Sequence, residues 1–334
     1  MSKFIQFSQT GEPEVLQYVN GTPASPNDDE VLISVKAIGL NRADAMFRRG
    51  KYIFEPILPA QLGTEAAGIV LALGRDVTHV SVGDRVNLVP SFPMGANGIY
   101  GEEITVPGHA VVTQPPGLSF EEAASIWVMF LTAYGPLIDD ARIQPGDHVI
   151  ISAASSSVGM AAIQLVKMAG AIPIALTRTK EKKQRLLDAG AKHVVIYSEV
   201  DLTAEILRIT GGRGARVAFD AVGGELLPRL IRVVPKGVIY LYGALGGETA
   251  TIPVLEALMH RATIKAWIIA DLLADDTRKR KAIKYVTDAL SRKDITPVID
   301  SVFAFEDMVA AHRRLESGQQ FGKVIVTVGG AREG

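Results

Sequence analysis

The stretch from Gly146 to Arg178 constrains the fold of this chain more strongly than any other. It contains an apolar strand at His148–Ser152, small residues at Ala153–Gly159, a helix with an apolar stripe, and a second apolar strand at Ile172–Leu176. Gly170 ends the helix, as glycine commonly does at a helix C-terminus. A strand, a small-residue turn, a helix and a second strand form the unit with which α/β folds hold a pyrophosphate. We therefore predict a dinucleotide-binding domain around this stretch.

The turn departs from the usual glycine fingerprint of such domains. Ala154, Ser156 and Gly159 occupy the places where three glycines are expected, so only the last glycine is present. The Cβ of Ser156 is a mild steric cost where the backbone approaches a pyrophosphate, and the hydroxyls of Ser155, Ser156 and Ser157 could partly compensate as donors. The serines could instead only cap the helix. Both roles are compatible, because the anion site is itself the helix N-terminus.

The two halves of the chain differ in pattern. Residues 3–120 show short β runs separated by turn signals, which is typical of a β-barrel-like domain. A helical segment, residues 118–139, follows, with Ser119 as its predicted N-cap. From Gly146 onward, strands and helices alternate, which predicts a parallel, doubly wound sheet.

The tail of the chain is expected to return to the first domain. Its two β runs, Ile295–Phe303 and Lys323–Val328, lie on either side of a helix and do not extend a doubly wound sheet. The prediction is an α/β protein in which the cofactor domain is an insertion. The predicted limits are 1–126 for the catalytic domain, 127–271 for the cofactor domain and 272–334 for the return to the catalytic domain.

Composition excludes several classes of function. The chain has 334 residues, a net charge of −1 and dispersed basic residues, which argues against nucleic-acid or membrane-surface binding. It has no cysteine, which excludes disulfides and thiolate catalysis, and its six histidines form no HExxH motif. A zinc site of histidine and carboxylate ligands is left as an alternative. No segment has the pattern of a signal peptide or a membrane span, so the expected location is the cytoplasm.

The end of the second strand favours NADP(H) over NAD(H). An acidic residue about 20 residues past the first turn would bind the ribose diol of NAD, but the strand ends in Thr177, Arg178 and Thr179 without an acid. The guanidinium of Arg178 offers a planar fork for a 2′-phosphate. Further charge could come from one of three lysines, Lys180, Lys182 or Lys183. The alternative is that these residues form only the solvated, basic start of a helix.

Taken together, several ordered motifs resemble the medium-chain dehydrogenase/reductase superfamily, and within it the zinc-independent, NADPH-dependent quinone oxidoreductase branch, which includes zeta-crystallin-like proteins. They span almost the whole chain: GLNRADAMFRRGKY, LGTEAAGIV, VGDRV, LTAY, AASSSVG, FDAVGG and FGKVIV. The resemblance implies a GroES-like β-barrel catalytic domain with an inserted Rossmann domain. Metal-dependent members of the superfamily have a zinc-binding cysteine where this chain has Asn41, and a zinc-binding histidine where it has Thr64. The resemblance therefore implies that both zinc ligands are replaced here.

The resemblance implies roles for individual residues as well. Asn41 and Tyr52 would line the substrate end of the cleft and donate hydrogen bonds to a developing oxyanion. The other implied contacts are with the cofactor: Thr132 with the nicotinamide, Ser157, Val158 and Gly159 with the pyrophosphate, Arg178 and Lys182 with the 2′-phosphate, Tyr197 near the adenosine, Gly243 and Ala244 near the nicotinamide half, and Lys323 near the cofactor cleft. Structural roles are the alternatives: Asn41 as a helix cap, Tyr52 as a surface-packed ring, and Thr132 as a back-bonded hydroxyl.

Three functions are compatible with these features. The first is direct hydride transfer from NADPH to a quinone or an α,β-unsaturated carbonyl compound, whose conjugation makes a metal less necessary. The second is a zinc-type alcohol dehydrogenase, and the third is a non-catalytic NADPH-binding protein. The resemblance further implies a homodimer formed through the strand Thr263–Ile269, an apolar edge strand that needs covering.

Overall fold

The computed structural model describes residues 1–329 of the chain, which divide into two units. Unit 1 contains Met1–Val128 and the chain from Pro297 onward, and unit 2 contains Met129–Thr296. The strands are β1 (Ser2–Phe7), β2 (Gln17–Gly21), β3 (Glu30–Gly39), β4 (Ala60–Gln61), β5 (Ala66–Leu73), β6 (Arg85–Leu88), β7 (Glu103–Pro107), β8 (Val111–Thr113), β9 (His148–Ile151), β10 (Ile172–Thr177), β11 (His193–Ile196), β12 (Val217–Asp220), β13 (Val238–Leu241), β14 (Thr263–Ala266), β15 (Ile299–Ala304) and β16 (Lys323–Thr327).

The helices vary more in length than the strands. They are α1 (Arg42–Arg48), α2 (Phe120–Ala123), α3 (Trp127–Tyr134), α4 (Ser157–Met168), α5 (Lys183–Asp188), α6 (Leu202–Ile209), α7 (Leu226–Ile231), α8 (Val254–His260), α9 (Ile269–Leu273), α10 (Asp276–Ser291) and α11 (Met308–Glu316). Short 3₁₀ turns lie at Pro13–Val15, Gly108–Ala110, Lys180–Lys182 and Phe305–Asp307, and a π-helical segment at Gly135–Asp140.

Unit 1 is built on a mixed sheet with the strand order β15-β16-β3-β5-β6-β8, and β7 also pairs with β3. A smaller sheet has the order β2-β1-β4. Alternate residues of β3, including Val31, Ile33 and Val35, are buried in the unit's core, as the two-residue period of a strand requires. β16 pairs antiparallel with β3, with Ile325 opposite Gly39. Strands from the parts of the chain before and after unit 2 therefore share one sheet.

Unit 2 contains a six-stranded parallel sheet with the order β11-β10-β9-β12-β13-β14. Every residue of the central strand β12 is buried, which is expected for a parallel strand covered on both faces. The strand order reverses between β9 and β12, and in such sheets ligands bind at the carboxyl ends of the strands on either side of this point. The predicted fold class, a β-barrel-type domain with an inserted doubly wound sheet, is confirmed.

Two details differ from the sequence-based expectation. The helix predicted over residues 118–139 is divided into α2, α3 and a π-helical segment; Ser119 is the N-cap of α2, and its hydroxyl accepts a hydrogen bond from the N–H of Glu122. α10, predicted to begin the return to the catalytic domain, belongs to unit 2. The reason is local packing: Arg278 forms an ion pair with Asp139, and the Tyr285 ring lies 5.0 Å from that of Tyr134.

Within residues 1–329, no helix is both long enough and apolar enough to cross a membrane.

Candidate active site

The phosphate-loop candidate lies between β9 and α4 in unit 2. Ala153 adopts a left-handed backbone with φ of 44°, so a non-glycine residue makes the turn that a glycine would make more easily. Ser156 is the N-cap of α4, and its hydroxyl accepts a hydrogen bond from the N–H of Gly159 at 3.1 Å. A Cβ at position 159 would lie 2.6 Å from the carbonyl oxygens of Ala153 and Ala154. Close packing therefore requires a glycine at position 159. The N-terminus of α4, which begins at this loop, favours the binding of an anion.

A buried pair of side chains braces this loop. The hydroxyl of Ser152 donates a hydrogen bond to the carboxylate of Asp220 and accepts one from the N–H of Ala221 at 2.9 Å. The same carboxylate accepts hydrogen bonds from the N–H groups of Val222 and Gly223 at 2.9 and 3.0 Å. These bonds tie the end of β9 to the end of β12, so the two loops that follow these strands are held together before any ligand arrives.

The residues predicted to surround the adenosine half also lie at the carboxyl ends of strands. Lys182 donates a hydrogen bond to the hydroxyl of Ser155 at 2.9 Å, which brings this ammonium to the phosphate loop. Arg178 is exposed directly after β10, and Tyr197 directly follows β11, where its N–H bonds the carbonyl of Thr177 at 3.1 Å. Burial raises the pKa of Tyr197, and the nearby charge of Arg178 opposes that shift. Two cations therefore lie near the place predicted for a 2′-phosphate.

The remaining cofactor candidates of unit 2 lie on two further segments. Gly243 follows β13, and a Cβ there would lie 2.7 Å from the carbonyl oxygen of Ala221, so this glycine is beside the loop after β12. Ala244 is exposed next to it, and Thr132 is half-buried within α3. The structure thus brings Gly243 to the braced loops.

The predicted substrate residue Asn41 belongs to a buried charge cluster in unit 1. The ammonium of Lys323 donates hydrogen bonds to Glu65 Oε2 at 2.5 Å and to Asn41 Oδ1 at 2.7 Å. The side chains of Lys323 and Glu65 are both fully buried. The amide nitrogen of Asn41 donates to the carbonyl of Gly39 at 3.1 Å and to Glu65 Oε2 at 3.3 Å. Glu65 Oε1 accepts from the N–H of Val128 at 3.0 Å, in the first turn of α3.

A second buried carboxylate lies next to this cluster. Asp44 accepts hydrogen bonds through Oδ2 from the N–H of Asn41 at 2.8 Å and from the hydroxyl of Tyr100 at 3.1 Å. Burial raises the pKa of Asp44 to about 6, although the Asn41 bond and the charge of Lys323 act against that shift. Burial and the Asp44 charge also raise the pKa of the half-buried Tyr52, so its hydroxyl is a proton-bearing donor at neutral pH.

Asn41 has the capping position considered from the sequence. It is the N-cap residue of α1, and the residue is only 6% exposed. Lys323, predicted near the cofactor, has its ammonium bonded to Glu65 and Asn41 instead of facing solvent. Glu65 and Asp44 were missed as functional candidates. For Glu65 a signal existed, because a glutamate within the apolar stretch LGTEAAGIV is buried only when paired.

The donor set around Asn41 does not fit zinc. The places of the two ligands expected from metal-dependent relatives hold an amide, Asn41, and a hydroxyl, Thr64. The nearby carboxylate, that of Glu65, is already paired with an ammonium, whose charge would repel a metal cation. Among residues 1–329, no group of three or more histidine, cysteine, aspartate or glutamate side chains is placed to hold a metal ion.

Two segments of the chain match models of dehydrogenase families. Residues 27–116 match the alcohol dehydrogenase GroES-like domain, and residues 189–326 match the zinc-binding dehydrogenase family. Quinone oxidoreductase 1 of Escherichia coli is 38% identical over 253 residues, which cover 75% of this chain and 76% of that protein. A barrel-type domain with an inserted dinucleotide fold thus defines an oxidoreductase of the medium-chain dehydrogenase/reductase superfamily.

Solved structures agree with this assignment. Escherichia coli quinone oxidoreductase complexed with NADPH superposes with a TM-score of 0.90 at 30% identity, covering 97% of this chain and 99% of that one. An NAD-dependent alcohol dehydrogenase gives a TM-score of 0.90 at 30% identity, covering 98% of this chain and all of the other. This chain belongs to the quinone oxidoreductase branch of that superfamily, and the predicted family is confirmed.

Proposed function

We propose that this protein uses NADPH to reduce a quinone or an α,β-unsaturated carbonyl compound without a metal ion. The observation that carries the proposal is the donor set around Asn41, which offers hydrogen bonds and a buried ammonium but does not fit zinc. Such a site suits a conjugated acceptor, because the charge that develops on its oxygen is delocalised and needs no strong Lewis acid. The NADPH-bound relative from Escherichia coli supports the choice of cofactor.

The chain's own residues supply binding and orientation. Bound NADPH supplies the hydride. The N-terminus of α4, with Ser156, Ser157, Val158 and Gly159, binds the pyrophosphate, and the brace from Ser152 to Asp220 holds that loop in place.

Charge and ring contacts complete the cofactor site that we propose. Arg178 and Lys182 bind the 2′-phosphate, and Thr177 and Tyr197 lie beside the adenosine. Thr132, Gly243 and Ala244 contact the nicotinamide half. Lys323 remains a candidate near the cofactor, and its bonds to Glu65 and Asn41 also give it a role beside the substrate residue Asn41.

Hydrogen bonds to the substrate oxygen come from Tyr52 and Asn41. The Tyr52 hydroxyl retains its proton because burial raises its pKa. The two amide bonds of Asn41, at 3.1 and 3.3 Å, are at the long end of the normal range, so a substrate oxygen can compete for that donor. Together these two side chains stabilise the oxyanion that forms during hydride transfer.

The direct test is NADPH consumption by the purified protein against a panel of quinones, enones and simple aldehydes, repeated with NADH. We expect turnover with quinones or enones and a preference for NADPH. Turnover of simple alcohols together with stoichiometric, tightly bound zinc would favour the alcohol dehydrogenase function. Tight NADPH binding without turnover of any panel member would favour a non-catalytic role.

Cofactor preference depends on Arg178. Its replacement by alanine is expected to raise the KM for NADPH about 10- to 100-fold, because hydrogen bonds to a charged group contribute roughly 1.5–3 kcal/mol. The KM for NADH should change little. Lys192→Ala is the matched control, since it removes an exposed charge just before β11, at the other end of the strand from Tyr197. Equal effects on both cofactors would contradict the assignment.

We also propose that the protein forms a homodimer through the β14 edge of the unit 2 sheet. β14 has a neighbour on one side only among the described strands, and α8 exposes four large apolar side chains, Val254, Leu255, Leu258 and Met259. Sedimentation velocity at micromolar concentration should show a dimer, and Leu255→Glu with Leu258→Glu should yield a monomer. A wild-type monomer would refute this. We also propose that the protein is located in the cytoplasm.

A further inference from the structure

Lys323 is an unusual residue for the interior of a domain. Its side chain is fully buried at the start of β16, and its ammonium has two oxygen partners, Glu65 Oε2 and Asn41 Oδ1. Removing an ammonium from water is costly, and replacing both members of a buried ion pair by apolar residues is often neutral or stabilising. A buried ion pair at the edge of a candidate site therefore calls for an explanation other than stability.

The cluster also fixes the orientation of the Asn41 amide. The two ends of an asparagine side chain have nearly the same shape, and only hydrogen-bond partners decide which end faces which way. Lys323 has only donors, so it can face only the amide oxygen, and the ionised Glu65 has only acceptors, so it can face only the amide nitrogen. Only one of the two orientations of the Asn41 amide therefore has hydrogen-bond partners at both ends: the one with its oxygen toward Lys323 and its nitrogen toward Glu65.

We propose that the Lys323–Glu65 ion pair is a positioning device: it fixes the Asn41 amide in the orientation from which its nitrogen can donate to the substrate oxygen in exchange for one of its two long hydrogen bonds, to Gly39 or to Glu65, and the Lys323 ammonium polarises that amide. This inference rests on the proposed function, because it concerns the donor that Asn41 contributes there. The ammonium is bonded to the amide oxygen of Asn41 at 2.7 Å, so its charge draws electron density away from the amide nitrogen and makes the N–H groups stronger donors.

The informative variant replaces both charges, Lys323→Met with Glu65→Gln. Removing Lys323 alone would leave a buried, unpaired carboxylate and could unfold unit 1. The double variant has no unpaired charge, and the glutamine introduced at position 65 can still accept a hydrogen bond from Val128 through its amide oxygen. Its amide nitrogen is then a donor in place of Glu65 Oε2, which favours the reversed orientation of Asn41.

Kinetics with the quinone or enone substrate separate positioning from simple structural support. We expect the double variant to remain folded, to keep its KM for NADPH within about twofold, and to lose roughly 100- to 1,000-fold in kcat, as for removal of an oxyanion donor. Adding Asn41→Ala to the double variant should lower kcat little further, because the three residues act as one unit. Additive losses, or a double variant with wild-type kcat, would overturn the proposal.

A matched control uses the other buried pair of unit 1, Arg48 with Glu316, of which neither partner has a hydrogen bond to Asn41. Arg48→Met with Glu316→Gln removes the same two charges from the same unit. If the proposal is right, this control keeps a kcat near that of the wild type at a comparable melting temperature. An equal loss of kcat in the control would assign the effect to general destabilisation.

A measurement without substrate distinguishes this inference from the proposed function. The side-chain amide resonances of Asn41, assigned by their disappearance in Asn41→Ala, can be followed by NMR on the wild type and the double variant. We expect slow hydrogen exchange in the wild type, since Lys323 and Glu65 hold both ends of the amide, and faster exchange with shifted resonances in the double variant. Unchanged resonances and exchange would refute the positioning role even if the enzyme reduces quinones.

Discussion

Replacing Gly159 with alanine is expected to weaken NADPH binding about 10- to 100-fold. The added Cβ would lie 2.6 Å from two backbone carbonyl oxygens, those of Ala153 and Ala154, so the phosphate loop must move away from the start of α4. Overpacking of this kind costs roughly 1–3 kcal/mol, which corresponds to that range of affinity when the strain falls on the binding loop. Fluorescence titration with NADPH measures the effect directly.

The control for Gly159→Ala is the same substitution where the space is less restricted. At Gly101, in unit 1, the nearest atom to an added Cβ is the Cβ of Phe4 at 3.2 Å, a contact that a movement of a few tenths of an ångström would relieve. We expect Gly101→Ala to bind NADPH like the wild type. If Gly159→Ala retained full affinity at unchanged stability, the loop before α4 would not be the pyrophosphate site.

A second large effect is expected in the pH dependence of stability, and it originates at His312. This side chain is fully buried, neither ring nitrogen has a hydrogen-bond partner, and burial lowers its pKa to about 3. The nearby charge of Arg48 acts in the same direction. Between about pH 3 and the unfolded value near 6.5, the folded state therefore binds fewer protons than the unfolded state. The contribution of His312 is complete above pH 6.5 and is lost as the pH falls through this window.

Replacement of His312 by leucine should make unfolding less sensitive to acid. At pH 4 the wild type is expected to have lost about 3 kcal/mol of unfolding free energy through His312, since each pKa unit corresponds to 1.36 kcal/mol.

The substitution Asp44→Asn should change the pH dependence in the opposite direction, because the folded pKa of Asp44 is raised to about 6. Its stabilising protonation is present at low pH and lost as the pH rises from about 4 to 6.

Urea unfolding at several pH values between 4 and 7 measures both effects. The difference in unfolding free energy between His312→Leu and the wild type should shift in favour of the variant as the pH falls, whereas that for Asp44→Asn should shift in favour of the wild type. Parallel pH curves for the wild type and His312→Leu would mean that His312 does not resist protonation in the folded state.

Features that are determined by residues close together in the sequence could be predicted from it. The strand–turn–helix unit around Ser156, the helix start at Asn41 and the N-cap at Ser119 follow from local patterns, and the structure shows each of them. The helix predicted over residues 118–139 is interrupted after α2 and continues after α3 as a π-helical segment, because hydrophobic periodicity does not reveal where the backbone shifts to a wider π turn. The π-helical segment begins with Gly135 and Pro136.

The charge cluster could not be predicted in this way. Lys323 and Glu65 are 258 positions apart in the chain. They meet because β3 pairs with β16, which begins at Lys323, and with β5, which directly follows Glu65. No local pattern indicates which buried carboxylate meets which lysine. The sequence did indicate that Asn41 replaces a metal ligand, but not that an ammonium lies beside it.

The pairing of β16 with β3 has a consequence for biosynthesis. β3 emerges from the ribosome long before its neighbour β16 is made. Until then Glu65 lacks the cation that neutralises it, and burying it alone is unfavourable. Unit 2 is continuous in sequence and is completed before Pro297 is added. Unit 2 can therefore fold during translation, while unit 1 cannot complete its sheet until β16 has been made.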